Sequence, residues 1–587
     1  MQRTTYLRFG GRYLTVVLAL VLAACGGGTD DGTVSAAPPG GGNTGGGGSG
    51  GGGGSNPPPP AVSYSLVETP DIAHRFLSTA TFGGTTAEID ALIGRDAADW
   101  LADEFAKTAV EYTDRVLPAI TERTNEPFNA RATRPVHSDL FWQAAIEGDD
   151  QLRQRALFAL SQIVVAGQSV RANHAHKHGF YMDAIYRNAF GNYEDILTDV
   201  TYTPSMADYL TYRGSRRADD RGRLPDENYA REILQLFSIG LIELNMDGSP
   251  RLVNGETVET YDNDDIVNLS RVFTGFDFDR TQNPEWMMWA VPLAYFDNRH
   301  SPEEKNFLGV SIPADTDGPT SVGLAIDGIF AHPNVAPFVS RQLIQRFTMS
   351  APPPAYIERV ATAFETGRFV ADNGREFGSG TRGDLQATIA AVLLDPLMFE
   401  DTVDGKLREP VLKFLHVVRA LEMAPIDIPA ETRLRNTSDT GVSLGQHPFR
   451  PPSVFNFYRP GYVAPNTVSG QQGLTAPELQ IVNGASSIGY VNFVGDYIFN
   501  RTPDGGSDAF TPNYEALTAI ADDPAALLQA VNDLLTGGRL TQSEFDDFEQ
   551  AVTAMPFRTT NIDNDRLRRA QLAVFLVANS GTFAVVQ

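Results

Sequence analysis

Apolar residues recur every three or four positions along most of the chain, which is the spacing of one face of an α-helix. Leu385, Ile389 and Val392, for example, share a single face. Helix start signals agree with the pattern, as where Thr85 and Glu88 form a capping box. The spacing predicts helices over 71–80, 97–107, 139–147, 151–165, 180–186, 226–239, 264–273, 335–347, 356–364, 384–394, 410–422, 477–488, 544–553 and 566–577. We therefore predict a mainly α fold, a large multi-helix globular body.

One region departs from the helical pattern. Residues 244–319 contain the turn pairs Asp247-Gly248 and Asn254-Gly255, and the later part is rich in Trp, Phe, Pro and Asp. Asn-Gly and Asp-Gly favour the tight turns of β-hairpins. The sequence thus predicts a small, irregular β-hairpin insertion in this region.

The N-terminus has the pattern of an export signal. Arginines precede a short apolar run at 14–22, which ends in Leu22-Ala23-Ala24-Cys25. The run is too short to span a bilayer, which takes about 20 apolar residues. We predict a lipoprotein signal peptide over 1–24 and lipidation of Cys25; the alternative is an ordinary cleavable signal. Leu22-Ala23-Ala24-Cys25 resembles the bacterial lipobox, and lipoproteins of that kind stay at the inner membrane when Asp follows the cysteine. Gly26 therefore favours anchoring at the outer membrane of the cell envelope, on its periplasmic face or at the cell surface.

Composition divides the rest of the chain. Residues 25–60 contain the lipid-attachment Cys25 and a Gly/Ser/Pro-rich tether, too poor in apolar residues to fold. Residues 61–500 are predicted as the main helical domain. A Gly/Asp/Pro-rich stretch then precedes a helical C-terminal segment, 501–587, that we expect to pack on the main domain.

Charge and cysteine content narrow the function. The formal net charge is −26, which argues against a nucleic-acid partner. Cys25 is the one cysteine, so the folded body has no internal disulfide. The chain has no phosphate-binding P-loop and no HExxH zinc motif. We therefore expect no cofactor.

Three closely spaced histidines form a weak candidate metal site. His174, His176 and His178 would share a face of a strand, and His174 and His178 would share a face of a helix. No carboxylate is adjacent in sequence. Two interpretations are open: a solvated loop, which is favoured, or a metal site.

The strongest constellation lies on the predicted helix at 226–239. Asn228, Arg231, Glu232 and Gln235 fall at i, i+3, i+4 and i+7, so they form one polar stripe on an otherwise apolar helix. Burying Arg and Glu is costly unless both are paired and hydrogen-bonded. The stripe should therefore meet other polar residues of the fold or a ligand in a cleft.

Several ordered motifs resemble a known family. They are Pro225-Asp226-Glu227-Asn228-Tyr229-Ala230-Arg231-Glu232, then Gln235-Leu236-Phe237-Ser238-Ile239-Gly240, His332-Pro333-Asn334-Val335-Ala336-Pro337-Phe338, Lys406-Leu407-Arg408-Glu409-Pro410 and Pro452-Ser453-Val454-Phe455-Asn456-Phe457-Tyr458. Together they are similar to the bacterial family called domain of unknown function 1800. The resemblance implies an exported protein, with an exported sulfatase-like protein as a partner, but it assigns no residue a catalytic role.

Two hypotheses of different class remain. The favoured one is a non-catalytic, lipid-tethered helical module that binds an exported protein or an envelope polymer. Arg231, Glu232, Arg408 and Glu409 would then form a structural ion network. The alternative is an envelope hydrolase that uses Glu227 or Glu232 as acid/base, with Arg231 holding an anionic or carbonyl group.

Overall fold

A computed structural model describes most of the chain after the tether. The described residues are 63–124, 136–167, 174–400, 405–423, 434, 436–500, 511–558 and 560–586. The signal peptide, Cys25 and the tether, which were predicted from the sequence, lie outside them.

Helices dominate the described residues, which confirms the mainly α fold class. In chain order they are α1 (Pro70–Ala80), α2 (Thr86–Leu92), α3 (Ala97–Ala106), α4 (Tyr112–Thr124), α5 (Val136–Glu147), α6 (Gln151–Ser161), α7 (Ala175–Arg187), α8 (Tyr193–Thr201), α9 (Pro204–Tyr209), α10 (Asn228–Glu232), α11 (Asn263–Val272), α12 (Gly318–Phe330), α13 (Val335–Phe347), α14 (Pro354–Thr366), α15 (Leu385–Leu393), α16 (Pro410–Ala420), α17 (Val468–Gln471), α18 (Gly484–Ile498), α19 (Glu515–Ala519), α20 (Pro524–Thr536), α21 (Gln542–Thr553), α22 (Ile562–Ala578) and α23 (Gly581–Ala584).

Strands are short and pair two by two across the described residues. They are β1 (Leu252–Val253), β2 (Glu256–Thr257), β3 (Phe276–Asp277), β4 (Ala294–Tyr295), β5 (Lys305–Phe307), β6 (Val310–Ile312), β7 (Phe369–Val370), β8 (Glu376–Phe377), β9 (Lys406–Leu407) and β10 (Val585–Val586). The antiparallel pairs β1–β2, β3–β4 and β5–β6 confirm the hairpin insertion predicted near 244–319. β9 pairs with β10, so the chain end joins the middle of the chain.

The helix predicted at 477–488 has the wrong bounds. The stretch expected at 477–488 is a short 3₁₀ turn, Pro477–Gln480, followed by α18. The Asn483 side chain accepts hydrogen bonds from the amides of Ala485 and Ser486, so it starts a new helix at this point. Polar residues that cap a helix therefore outweigh apolar spacing here.

The core is one large cluster of apolar side chains to which most helices contribute. α13 packs on α14, and α14 on α15. The C-terminal helices join the same body, because α20 packs on α1 and α16, and α22 packs on α18. No single described helix is long and apolar enough to cross a membrane; α12 and α13 meet that test only together, as a pair bent by 77°.

Candidate functional site

The polar stripe lies on a helix that changes type halfway. α10 covers Asn228–Glu232, and the chain continues as a π-helix over Ile233–Ser238. The Asp226 carboxylate accepts a hydrogen bond from the Asn228 amide at 3.0 Å, which fixes the start. π-helices are rare and occur frequently at functional sites. The predicted helix at 226–239 is therefore present, but with a wider second half.

Side chains from distant elements satisfy the carbonyl groups at the end of the π-helix. The Tyr193 hydroxyl donates to the Phe237 carbonyl at 2.6 Å, and Asn334 Nδ2 donates to the Ile239 carbonyl at 2.8 Å. The Thr260 hydroxyl donates to the Gly240 carbonyl at 2.5 Å. Unpaired carbonyls at a buried helix end are costly. These three donors thus hold the helix end in place.

Most of the stripe reaches solvent. Asn228, Arg231 and Gln235 are half-buried, and only Glu232 among the four is buried. Arg231 pairs with Glu227 at 3.5 Å, but both side chains are more than a third exposed, so the pair adds little stability. The expectation of a buried Arg–Glu stripe therefore holds for Glu232 alone.

Glu232 is a buried carboxylate without a hydrogen bond. It is 6% exposed, and its Oε2 has no hydrogen-bond partner among the described residues. Burial raises the pKa of Glu232, while the charge of Arg231 opposes that rise. Burial, followed by the charge of Glu232, raises the pKa of Tyr209 to about 12. A carboxyl group in such surroundings can serve as a general acid or base.

Arg408 is buried against residues near the C-terminus and does not contact the stripe in the described structure. Its guanidinium donates to the Phe583 carbonyl, lies 4.0 Å from the centre of the Phe583 ring, and contacts His416 Nδ1 at 2.5 Å. Burial lowers the pKa of Arg408 to about 9. Arg408 thus joins the end of the chain to α16.

Glu409 is fully buried in a different set of hydrogen bonds. It accepts from Gln162 Nε2 at 3.2 Å, from Gln446 Nε2 at 2.5 Å and from the Tyr458 hydroxyl at 2.9 Å. No hydrogen bond or ion pair joins Arg408 or Glu409 to the stripe within the described chain.

The four-residue ion network predicted from the sequence is therefore wrong. Arg231 pairs with Glu227 instead, and Glu232 has no hydrogen-bonded or ion-paired partner among the described residues. Arg408 and Glu409, although adjacent in sequence, have partners in separate parts of the fold. Sequence spacing indicates which residues share a helix face, but it does not indicate which distant element packs on that face.

The three histidines lie at the start of a buried helix, so the solvated-loop interpretation is wrong. His174 precedes α7, and His176 and His178 are 2% and 0% exposed. The His174 ring stacks on Trp289 at 4.0 Å, and His178 on His137 at 4.6 Å. Burial lowers the pKa of His176 to about 4.

Metal binding by the three histidines finds no support in the geometry. Over the described ranges, no group of three or more His, Cys, Asp or Glu side chains is arranged to hold a metal ion. The rings instead pack against aromatic neighbours, which is the usual role of a core histidine.

A pocket lined by arginines, which was not predicted from the sequence, lies next to the stripe. It has a volume of about 390 Å³ and is lined by Arg216, Arg217, Arg223, Arg299 and Asp219, among others. The signal that could have revealed it is the density of arginines between Arg213 and Arg223 in an otherwise acidic chain. Such a local cluster favours an anionic ligand.

Two of these arginines have no acidic partner among the residues that the structure describes. Arg223 pairs with Asp219 at 3.2 Å and Arg299 with Asp277 at 3.1 Å. The side chains of Arg216 and Arg217, in contrast, are exposed and make no ion pair or hydrogen bond within the described residues. Their guanidinium groups are therefore available to a ligand.

Half-buried ion pairs hold Arg299, which lines this pocket. The carboxylate of Asp277 bonds both Arg299 and Arg213, the latter at 3.3 Å, and Arg213 also bonds Asp208. Burial opposes ionisation of Asp277, but the Phe278 amide and Arg213 hold its pKa below the ordinary value. Arg299 is thus held by its acid partner while it lines the pocket.

Hydrogen bonds tie the arginine loop to the start of α10. The Asp226 amide donates to Ser215 Oγ at 3.0 Å, and the Thr211 hydroxyl donates to the Asp226 carboxylate at 2.9 Å. Asn228 Nδ2 contacts Thr211 Oγ1 at 3.5 Å. The stripe and the arginine-lined pocket are therefore parts of one surface region.

Comparisons with known proteins agree with the sequence motifs. A family model described as "Protein of unknown function (DUF1800)" matches residues 75–585, which confirms the resemblance. No curated protein and no solved structure matches the chain.

Proposed function

The chain belongs to the DUF1800 family of proteins of unknown function, and from its geometry we propose that it is a non-catalytic binding module that takes an anionic envelope polymer. The observation that carries this proposal is the pocket lined by Arg216, Arg217, Arg223 and Arg299. Guanidinium groups bind carboxylate, sulfate and phosphate through paired, charge-assisted hydrogen bonds.

The charge of the whole chain strengthens the argument. A net charge of −26 opposes the approach of a polyanion to the protein. A cationic pocket then defines where such a polymer can approach. Arg216 and Arg217, which make no ion pair among the described residues, supply charge for the polymer, and Arg299 is fixed by Asp277.

Binding to a sulfated polysaccharide such as heparin tests the proposal. Replacing Arg216 and Arg217 together by Gln should weaken binding about tenfold or more, because each charged hydrogen bond contributes about 1.5–3 kcal/mol. Wild-type affinity should also fall with rising salt. Neutral dextran, which has no charged groups, should not bind.

A matched double variant controls for the change in net charge. Arg251 and Arg368 are exposed and pair with Glu243 and Glu376, away from the pocket. Changing both to Gln should leave heparin binding intact. If the two double variants lost the same amount of heparin affinity, the effect would come from overall charge, which would contradict the proposed site.

The anchor forms part of the same proposal. Lipidation of Cys25 would hold the binding module at the outer membrane, with residues 26–60 as a spacer. The sulfatase-like partner implied by the resemblance would act on sulfate esters, which an arginine cluster also binds. Radiolabelled palmitate should label the wild-type protein and fail to label Cys25→Ser; equal labelling of both would refute the anchor.

A second candidate function, a hydrolase, is favoured by one observation. Within the described residues, the buried Oε2 of Glu232 accepts no hydrogen bond, and burial raises the pKa of this carboxyl group. If Glu232 is an acid/base, Glu232→Gln abolishes turnover of a panel of nitrophenyl esters and glycosides while the protein still folds. Glu376→Gln, at the exposed pair with Arg368 and outside the candidate cluster, is the control. Absence of turnover by the wild type across the panel favours the binding module.

A further inference from the structure

A second pocket, distinct from the arginine-lined one, opens beside α13. Its volume of about 590 Å³ falls within the range of roughly 300–1,000 Å³ typical of small-molecule sites. Met349, the prolines at 352–354, Leu397 and Leu474 form the apolar part of its walls, and Arg341, Glu400 and Thr475 contribute polar groups. The pocket therefore suits a ligand with an apolar body.

Arg341 lines this pocket with an uncompensated charge. Its Nε is fully buried without a hydrogen bond, and the side chain makes no ion pair or hydrogen bond in the part of the chain that the structure describes. Burial lowers the pKa of Arg341. The side chain is half-buried, and a guanidinium partly removed from water is stabilised by an anion that pairs with it.

Fixed contacts hold the pocket walls in place. Ser350 Oγ donates to Glu478 at 2.9 Å and accepts from the Leu407 amide at 3.0 Å. The Thr475 hydroxyl donates to the Ser350 carbonyl at 2.9 Å. The three consecutive prolines restrict the backbone further. A pocket formed before binding costs its ligand less ordering entropy.

We propose that this pocket binds a small monocarboxylate with an apolar body. The carboxylate pairs with Arg341, which offers parallel donors in the geometry that a carboxylate accepts. The apolar body lies against Met349, the prolines and Leu474. A doubly charged phosphate fits less well, because Arg341 is the cation among the described lining residues and Glu400 lines the same pocket.

Titration calorimetry and thermal unfolding with N-acetyl-leucine test the proposal. N-acetyl-leucine should bind saturably and raise the unfolding midpoint, whereas its neutral amide and inorganic phosphate should not. Arg341→Gln should weaken binding about tenfold or more, since a charged hydrogen-bond pair is lost. The variant should unfold no earlier than the wild type, because Arg341 has no partner to lose.

Arg368→Gln is the matched control. Arg368 is an exposed arginine that pairs with Glu376 outside the pocket, so N-acetyl-leucine binding should be unchanged. Equal binding of the acid and its amide, equal binding by Arg341→Gln, or no saturable binding of the acid overturns the proposal. Heparin binding reports on the arginine-lined pocket separately, so each site can fail independently.

Discussion

Glu409 and Glu232 are both buried glutamates, but their surroundings differ. Glu409 accepts hydrogen bonds from Gln162, Gln446 and Tyr458, and its charge favours the protonated form of buried Arg155. Glu232 has no hydrogen bond in the described structure. Hydrogen bonds offset the cost of burying the carboxylate of Glu409, whereas none does so for Glu232 among the described residues. Glu409 is therefore structural, whereas Glu232 is the residue to test for function.

Glu409→Gln should destabilise the fold strongly. Removing one charge of a buried, hydrogen-bonded set typically costs about 3–5 kcal/mol, because the cationic neighbour stays buried without its partner. Urea unfolding measures the change. Glu227→Gln, at an exposed pair, should cost about 0.5 kcal/mol or less. Similar costs for both variants would contradict the structural role of Glu409.

At the scale of the element, the π-helix depends on the residue that ends it and on a distant segment. Gly240 has a φ of +71°, and a Cβ there would lie 2.7 Å from the Phe338 ring. Asn334, from the segment before α13, donates to the Ile239 carbonyl. The family motif at 332–338 thus supports the end of the helix that carries the stripe. The two motifs form one structural unit although they are distant in sequence.

Gly240→Ala tests this unit. The left-handed backbone costs an alanine about 1–2 kcal/mol, and the collision with Phe338 adds about 1–3 kcal/mol. Gly255→Ala is the control, because Gly255 has a φ of +86° but open space around its Cβ position. Denaturant unfolding should show a clearly larger loss in the free energy of unfolding for Gly240→Ala than for Gly255→Ala. Equal losses would mean that Phe338 moves aside without cost.

At the scale of the whole molecule, early, central and final parts of the chain meet around two histidines. The rings of His74 on α1 and His416 on α16 lie 5.1 Å apart, and His416 lies 5.5 Å from Phe583. Arg408 bonds both His416 and the Phe583 carbonyl. Burial, followed by nearby arginines, lowers the pKa of His74 to about 3 and that of His416 well below its ordinary value.

These two histidines should make the fold sensitive to acid. In the unfolded chain they gain a proton below about pH 6.5, whereas the folded protein keeps them neutral to much lower pH. Their stabilising effect is complete above pH 6.5 and is lost as the pH falls towards 3. At pH 5 the loss for His74 is roughly 2 kcal/mol, and His416 adds a loss in the same direction.

His74→Gln measures one half of this effect. Urea unfolding at pH 7.5 and pH 5 should show a smaller drop in the free energy of unfolding for the variant than for the wild type. The difference should be on the order of 2 kcal/mol. If the free energy of unfolding fell equally in the variant and the wild type, carboxylates elsewhere would cause the acid sensitivity.

Local patterns determined much of this architecture. Apolar spacing and capping residues predicted most helices, and Asp-Gly and Asn-Gly turns predicted the hairpin insertion, because helical period and turn chemistry act over a few neighbouring residues. The helix at 226–239 and its four-residue polar stripe could therefore be predicted from the sequence. The same local pattern could not indicate that the second half is a π-helix, since its donors come from Tyr193, Thr260 and Asn334.

Tertiary packing alone decided which polar residues became buried and with whom. Adjacent Arg408 and Glu409 have partners in different parts of the fold, and His176 lies in the core instead of a solvated loop. Arg216 and Arg299 meet in one pocket although a long stretch of chain separates them. These outcomes depend on contacts between elements that are distant in sequence, so short-range residue patterns could not predict them.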